Sequence, residues 1–341
     1  MSAAEGVRRS VLLRRRPTTE PSARDFEIHE DAIPTPAAGQ VVTRTIYLSI
    51  DPYMRGRLRE EQTYASGIAP GEVMTGETVG EVIASAHPDF KVGDVVVGPR
   101  GWQSHCLADG AAIVKIDRAV GAPLSAYLGV LGMPGATAYA GVTEIIKPKP
   151  GETVVVSAAS GAVGSVAGQL AKRAGARVVG VAGGPDKCLW VQDTLQFDDC
   201  VDHRAMDLRA ELHAACPNGI DGYFENVGGA VQAAVFDLLN RHARVAMCGM
   251  VSQYNKAEFP PGPNLGFVVG KAVLIQGFIV SDNPQRLIDW RRIAAPWVAD
   301  GSLIYREDIV DGLDSAPDAL AGILEGRNFG KMLVRVGHEP A

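Results

Sequence analysis

Gly161 and Gly164, in the run SAASGAVGS at 157–165, are spaced so that a backbone can turn tightly and come close to a pyrophosphate. If a helix starts there, Gly161, Ala162, Val163 and Gly164 present unpaired N–H groups at the positive end of its dipole, a natural anion cradle. Ala159 holds the place of the first glycine of the usual G-x-G-x-x-G pattern. The run therefore signals a dinucleotide only with a strand before it and a helix after it; without a ligand it would be a plain strand-helix turn. Lys187, further along, offers a cation.

The neighbouring residues supply that context. Thr153 to Val156 is a β-branched run suited to a buried parallel strand. Val163, Val166, Ala167, Leu170, Ala171 and Ala174 recur at helical spacing, and Gly175 marks the helix end. A second strand is predicted over Arg177 to Val181. Enzymes that prefer the non-phosphorylated dinucleotide carry Asp or Glu at the tip of this strand, about twenty residues past the glycines. Here the tip reads VAGGPDK, with no carboxylate at the strand end, room beside the glycines, and Lys187 available to a 2′-phosphate. NADPH is the expected cofactor. The alternative is a solvated Lys187 with Asp186 reaching the ribose.

Residues 1–126 lack helical periodicity. Short β-like runs at Val41 to Ile50, Thr78 to Ala84, Asp94 to Val97 and Ala112 to Ile116, separated by turn residues, predict a compact, mostly antiparallel β domain. Within it LSIDPYMRG (48–56) sets Asp51, Tyr53 and Arg55 just after an apolar strand that Pro52 ends. Tyr53 and Arg55 are either substrate or cofactor contacts or the plug and ion pair of a structural turn.

After Pro123 helices and strands alternate: helices Ala136 to Ile146, Ala205 to Ala215 and Ala230 to Leu239, strands near Cys200, at Ile220 to Phe224, Ala243 to Cys248 and Val273 to Phe278, and a helix from Pro284 capped by Asp282 or Asn283. This order builds a doubly wound parallel sheet, an α/β fold whose ligands sit at the carboxyl ends of the strands. Asn226 and the glycines at those ends suit a flat nicotinamide. The tail, with a capped helix near Ala319 to Leu324 and a last strand Met332 to Val336, is a candidate to return to the first domain.

With 341 residues, two domains are expected. A net charge of −6 argues against a general nucleic-acid binder. Five scattered cysteines without C-x-x-C spacing point to a reducing compartment, and the absence of a membrane-length apolar run or a signal-peptide pattern points to the cytoplasm.

Taken together, LSIDPYMRG, GEVMTGETVGEV, GMPGATAYAG, SAASGAVGS, YFENVGG, CGMVSQYN and GRNFGK resemble, in order and over nearly the whole chain, the zinc-independent medium-chain dehydrogenase/reductases of the leukotriene/prostaglandin reductase and alkenal double-bond reductase group. Within that group AGGPDKC, the His203-Arg204 pair and PPGP at 260–263 are similar to the bacterial NADPH-dependent curcumin/enone reductase type. The resemblance implies a GroES-like β-rich catalytic domain over 1–126 completed by 302–341, a Rossmann domain over 127–301, and NADPH in a cleft between them. It places Lys187 at the 2′-phosphate and Asn226 near the cofactor. Cys248, Gly249, Ser252, Tyr254, Phe278, Ile279, Val280 and Asn328 match nicotinamide-side positions. His203 stands where mammalian-type members have a tyrosine on the 2′-phosphate, with Arg204 beside it. A homodimer is also implied.

Zinc-dependent relatives carry a cysteine after the first apolar strand, a Gly-His-Glu motif and a four-cysteine lobe. Here Asp51 stands near the expected cysteine, Gly76-Glu77 lacks the intervening His, and His105-Cys106 has no spaced partners. No metal is expected. Without one, the substrate carbonyl needs a hydrogen-bond donor, and the resemblance puts the Tyr254 hydroxyl there, stabilising the enolate that forms as hydride reaches the β-carbon of an enone or enal. Tyr254 could instead be a loop aromatic covering the cofactor. The alternatives are a quinone reductase or zinc-free alcohol dehydrogenase on the same scaffold, or a non-catalytic NADPH-binding protein. Pocket size is expected to depend on loops near Tyr64, Trp102 and Phe259.

Overall fold

The computed structural model describes residues 6–60, 66–258 and 261–340, and its chain divides into two compact units, 1–128 with 307–341, and 129–306. Tyr64 and Phe259, and Pro260 of the PPGP run, lie outside the described residues.

In the first unit Gln40–Ser49 is the central strand, antiparallel to Glu77–Ser85, His105–Asp109 and Lys331–Arg335. The tail does return: Lys331–Arg335 pairs with Gln40–Ser49 on one side and, in parallel, with Glu307–Asp311 on the other. Leu313, Leu320, Met332 and Val334 then share a core with Leu48, Ile50, Met54 and Trp102. Trp102 is fully buried and stacked on Phe26, 5.5 Å between ring centroids, and is a core residue of this unit. A hairpin of Val7–Leu13 with Phe26–Ala32 escaped the sequence reading. Its alternation is masked by charge, because Arg8 and Arg9 face Asp31 and Glu30 across the ladder.

The second unit is a six-stranded, all-parallel sheet. Its spatial order is Asp199–Asp202, Arg177–Ala182, Thr153–Ser157, Ile220–Glu225, Leu239–Met247, Leu274–Gly277. Numbered along the chain this is 3-2-1-4-5-6, the doubly wound arrangement whose switch point falls between the first and fourth strands. Val154, Val155, Val156, Val178 and Val179 are wholly buried, as strands covered on both faces must be.

Among the predicted elements that differ, two pack at the sheet of the second unit. The helix expected over Ala136 to Ile146 is an α-helix only over Met133–Ala140 and becomes a π-helix over Gly141–Ile146. At that junction a Cβ on Gly141 would lie 2.4 Å from the Phe224 ring, so the helix is pressed onto the sheet there. The strand expected over Ala243 to Cys248 starts earlier, at Leu239, because Leu239 already pairs with Ile220 before a register shift. His242, at φ 65°, lies between that pair and the next one, Arg244 with Gly222. The preceding helix accordingly ends at Asp237.

Candidate cofactor and active site

The glycine turn sits at the switch point. Thr153–Ser157 is followed by a turn in which Ala158 adopts φ 50°, and the helix Gly164–Arg173 begins directly after it. A Cβ built on Gly164 would lie 2.3 Å from the Ala158 carbonyl oxygen and 3.0 Å from Ala159 Cα. Only glycine permits this approach. A Cβ on Gly161 would meet only the Ala158 oxygen, at 3.1 Å. Gly161 N donates to Ala158 O at 2.9 Å and Ser165 N to Gly161 O at 3.0 Å, so the N–H groups of Ala162, Val163 and Gly164 are the ones that suit an anion.

At the tip of Arg177–Ala182, His203 and Arg204 converge on Gly183 and Gly184. A Cβ on Gly183 would lie 2.8 Å from His203 Nε2 and 3.4 Å from Arg204 Nη2, and one on Gly184 would lie 3.4 Å from Arg204 Nη1. Both side chains therefore drape over the two glycines. Burial, then the Arg204 charge and more weakly that of Lys187, push the His203 imidazole below its ordinary value, with Asp202 opposing. Lys187 is half-buried in the helix Pro185–Asp193. Asp202, the carboxylate nearest in sequence to the pair, is engaged by Gly184 N at 2.9 Å and Arg204 N at 3.0 Å. The glycine cradle, the Arg204 guanidinium and the His203 ring beside it fit a phosphorylated dinucleotide.

The other strand ends form one connected piece. Cys248 N and Gly249 N donate to Glu225 O at 2.9 and 3.1 Å, Val251 N to Asn226 O at 3.1 Å, and Ser252 N to Val227 O at 3.0 Å. Asn226 Nδ2 donates to Ser157 O at 2.7 Å, tying this piece to the strand that precedes the glycine turn. The Tyr254 hydroxyl lies over Gly249, 3.0 Å from where a Cβ there would stand. Burial, then the charge of Glu225, push the Cys248 thiol up to about 12, so Cys248 is a neutral residue whose N–H serves the loop. Phe278 packs edge-on against Phe224, 6.4 Å between centroids, and Ile279 O accepts from Arg286 Nη1 at 3.0 Å, which fixes the segment 278–280.

Gly161 to Gly164, Asn226, Cys248 to Tyr254 and Phe278 to Val280 thus all follow carboxyl ends of strands in one sheet. Asn328, Tyr53 and Arg55 belong to the other unit. Asn328 Nδ2 donates to Gly330 O at 2.7 Å. Tyr53 is half-buried, with the Arg57 guanidinium 5.8 Å from its ring centre. Arg55 is 3% exposed and donates to Thr19 O at 2.7 Å. Burial pushes its guanidinium below its ordinary value. Its bond to the Thr19 carbonyl ties it to the preceding segment of its own unit.

The sequence reading gave no role to Ser157 or Glu225. The signal was a carboxylate closing an otherwise buried strand, IDGYFE, where it must find donors.

Residues 9–116 match the family model described as the N-terminal domain of oxidoreductase, and 162–299 the model described as zinc-binding dehydrogenase. The chain belongs to the medium-chain dehydrogenase/reductase family of oxidoreductases, in the group that holds the curcumin, alkenal and prostaglandin reductases. It is 47% identical to the NADPH-dependent curcumin reductase of Escherichia coli (strain K12), over 96% of each chain. It is 41% identical to the NADP(+)-dependent 2-alkenal reductase of Nicotiana tabacum, over 99% of this chain and 100% of that one. The crystal structure of CurA in complex with NADPH from Vibrio vulnificus superposes with a TM-score of 0.92 at 45% identity, covering 97% of this chain and 100% of that one.

Proposed function

We propose that the protein reduces the C=C bond of α,β-unsaturated ketones and aldehydes with NADPH and without zinc. The observation that carries this reading is the Tyr254 hydroxyl held against the Gly249 backbone, at the same edge of the sheet as the glycine turn. Gly161 to Gly164 hold the pyrophosphate, and Lys187, His203 and Arg204 share the 2′-phosphate. Asn226, the backbone of Cys248 and Gly249, Ser252, Phe278 to Val280 and Asn328 serve the nicotinamide side. When bound, NADPH supplies the hydride that reaches the β-carbon. Tyr254 donates a hydrogen bond to the carbonyl oxygen as enolate charge develops on it. Tyr53 is a candidate substrate contact.

The donors at the zinc positions of metal-dependent relatives support the metal-free part. Asp51, near the expected cysteine, is bound to Lys331 Nζ at 2.8 Å in an ion pair whose side chains are 8% and 4% exposed, and it also accepts from Ser49 Oγ. A carboxylate so committed does not fit a zinc ligand.

Similarity to the curcumin and alkenal reductases supports the substrate class. The test is steady-state NADPH oxidation with an enone series, a quinone and a secondary alcohol, with NADH as control. Enone turnover favoured over quinone is expected; turnover of quinone alone would replace this reading with the quinone reductase. Acceptance of no substrate would leave a dinucleotide-binding protein.

We also propose a cytoplasmic homodimer. The open edge strand Leu274–Gly277 and the helix before it expose Leu274 and Val269, 47% and 86% exposed, which supports pairing of two edges. Sedimentation equilibrium should give a dimer that Val269→Glu with Leu274→Lys converts to monomer.

A further inference from the structure

Glu225 closes the strand Ile220–Glu225 at the switch point and is fully buried. One carboxylate oxygen, Oε1, accepts from Val227 N at 2.7 Å and Gly228 N at 3.0 Å and faces Ser157 Oγ at 3.1 Å. Ser157 in turn accepts from Asn226 N at 2.8 Å through its hydroxyl and from Asn226 Nδ2 through its carbonyl. The 226–229 turn is thus held from beneath by two side chains. The 248–252 loop hangs from that turn: Cys248 N and Gly249 N reach Glu225 O, and Val251 N and Ser252 N reach the carbonyls of Asn226 and Val227. Ser252 Oγ adds a bond of 2.6 Å to Val227 O. Two residues later stands Tyr254, its hydroxyl over Gly249.

We propose that Glu225, working with Ser157, is a positioning residue for the reduction: its buried carboxylate fixes the 226–229 turn and, through it, the loop that carries Tyr254. The proposal rests on the functional reading above for the roles of Asn226 and Tyr254, while the mechanical coupling stands on the hydrogen bonds alone. A carboxylate suits the place because one oxygen takes two converging backbone N–H groups, as an anion bound in a backbone nest does. An aliphatic side chain would leave both donors buried without an acceptor. The surroundings keep to neutral groups, since burial and then Glu225 itself push the Tyr223 hydroxyl and the Cys248 thiol upward.

Amide hydrogen exchange on the full chain without cofactor, compared among wild type, Ser157→Ala, Glu225→Leu and Glu225→Gln, reads the coupling directly. Faster exchange confined to 226–229 and 248–254 is expected for Ser157→Ala and Glu225→Leu, with the helix Gly164–Arg173 unchanged and with Glu225→Gln near wild type, because its amide oxygen can still accept. Unchanged exchange in the loop, or an equal rise across Gly164–Arg173, overturns the proposal. If Glu225→Leu does not fold, Ser157→Ala decides. In enone reduction the same two variants should lose about 10²-fold in kcat, as misplacement by an ångström does, while binding of 2′,5′-ADP stays at the wild-type level. Equal loss of 2′,5′-ADP binding would assign Glu225 to general stability instead. A wild-type protein that reduces no enone defeats the functional reading, and the exchange data still judge the coupling.

Discussion

Gly164→Ala isolates what the glycine turn contributes. The new Cβ would lie 2.3 Å from the Ala158 carbonyl oxygen, 2.9 Å from its carbonyl carbon and 3.0 Å from Ala159 Cα. All three are backbone atoms, so no rotamer change relieves the clash. Ala158 already stands at φ 50°, which leaves the turn little room to adjust. To reach a tolerable separation, the helix start and the turn must part by about 0.7 Å. Overpacking of this kind costs about 1–3 kcal/mol of stability. It also moves the first-turn N–H groups away from the pyrophosphate, and a hydrogen bond to a charged group is worth about 1.5–3 kcal/mol. At about 1.4 kcal/mol per factor of ten, NADPH should bind about 10- to 100-fold more weakly. Gly161→Ala is the matched control, because its Cβ meets a single oxygen at 3.1 Å and nothing else within 4 Å. Fluorescence titration of NADPH, with thermal melts alongside, measures both effects. Wild-type affinity in Gly164→Ala, or an equal loss in Gly161→Ala, would refute the steric argument.

Tyr254→Phe should lower kcat for enone reduction by about 10²- to 10³-fold at unchanged NADPH affinity; full activity would remove the hydroxyl from the chemistry. Lys187→Ala and Arg204→Ala should each weaken NADPH about tenfold and leave NADH unaffected, as paired titrations would reveal. Lys331→Met leaves Asp51 buried without its partner and should cost about 3–5 kcal/mol in urea unfolding, with Lys331→Met/Asp51→Asn recovering part of the loss. The Glu152 carboxyl is held below its ordinary value chiefly by its hydrogen bond from Arg244. Its contribution is therefore present above the unfolded value of about 4.5 and is lost as pH falls through the lower folded one, so Glu152→Gln should destabilise by about 1–3 kcal/mol at pH 7 and by progressively less below pH 4.5.

The parallel sheet was legible because its central strands are buried on both faces and write that burial as apolar runs, Val154 to Val156 most plainly. The hairpin Val7–Leu13 with Phe26–Ala32 was not, since its apolar alternation is interrupted by Arg8, Arg9, Glu30 and Asp31, which meet across the ladder. A similar limit applies at the site. A glycine turn declares itself locally, because its conformation is a property of adjacent residues. The convergence of His203 and Arg204 on Gly183 and Gly184 depends instead on two strand tips lying side by side, with Arg177–Ala182 next to Asp199–Asp202. Glu225 and Ser157 are farther apart again, 68 residues along the chain yet hydrogen-bonded, because the 3-2-1-4-5-6 order makes the first and fourth strands neighbours. The switch point brings together residues that no local pattern links, so a buried carboxylate at its edge can govern loops that a reading of motifs one at a time treats as independent. In this protein the phosphate end is largely encoded in contiguous residues, whereas the placing of Tyr254 passes through strand order, and substitutions at Ser157 or Glu225 should separate the two.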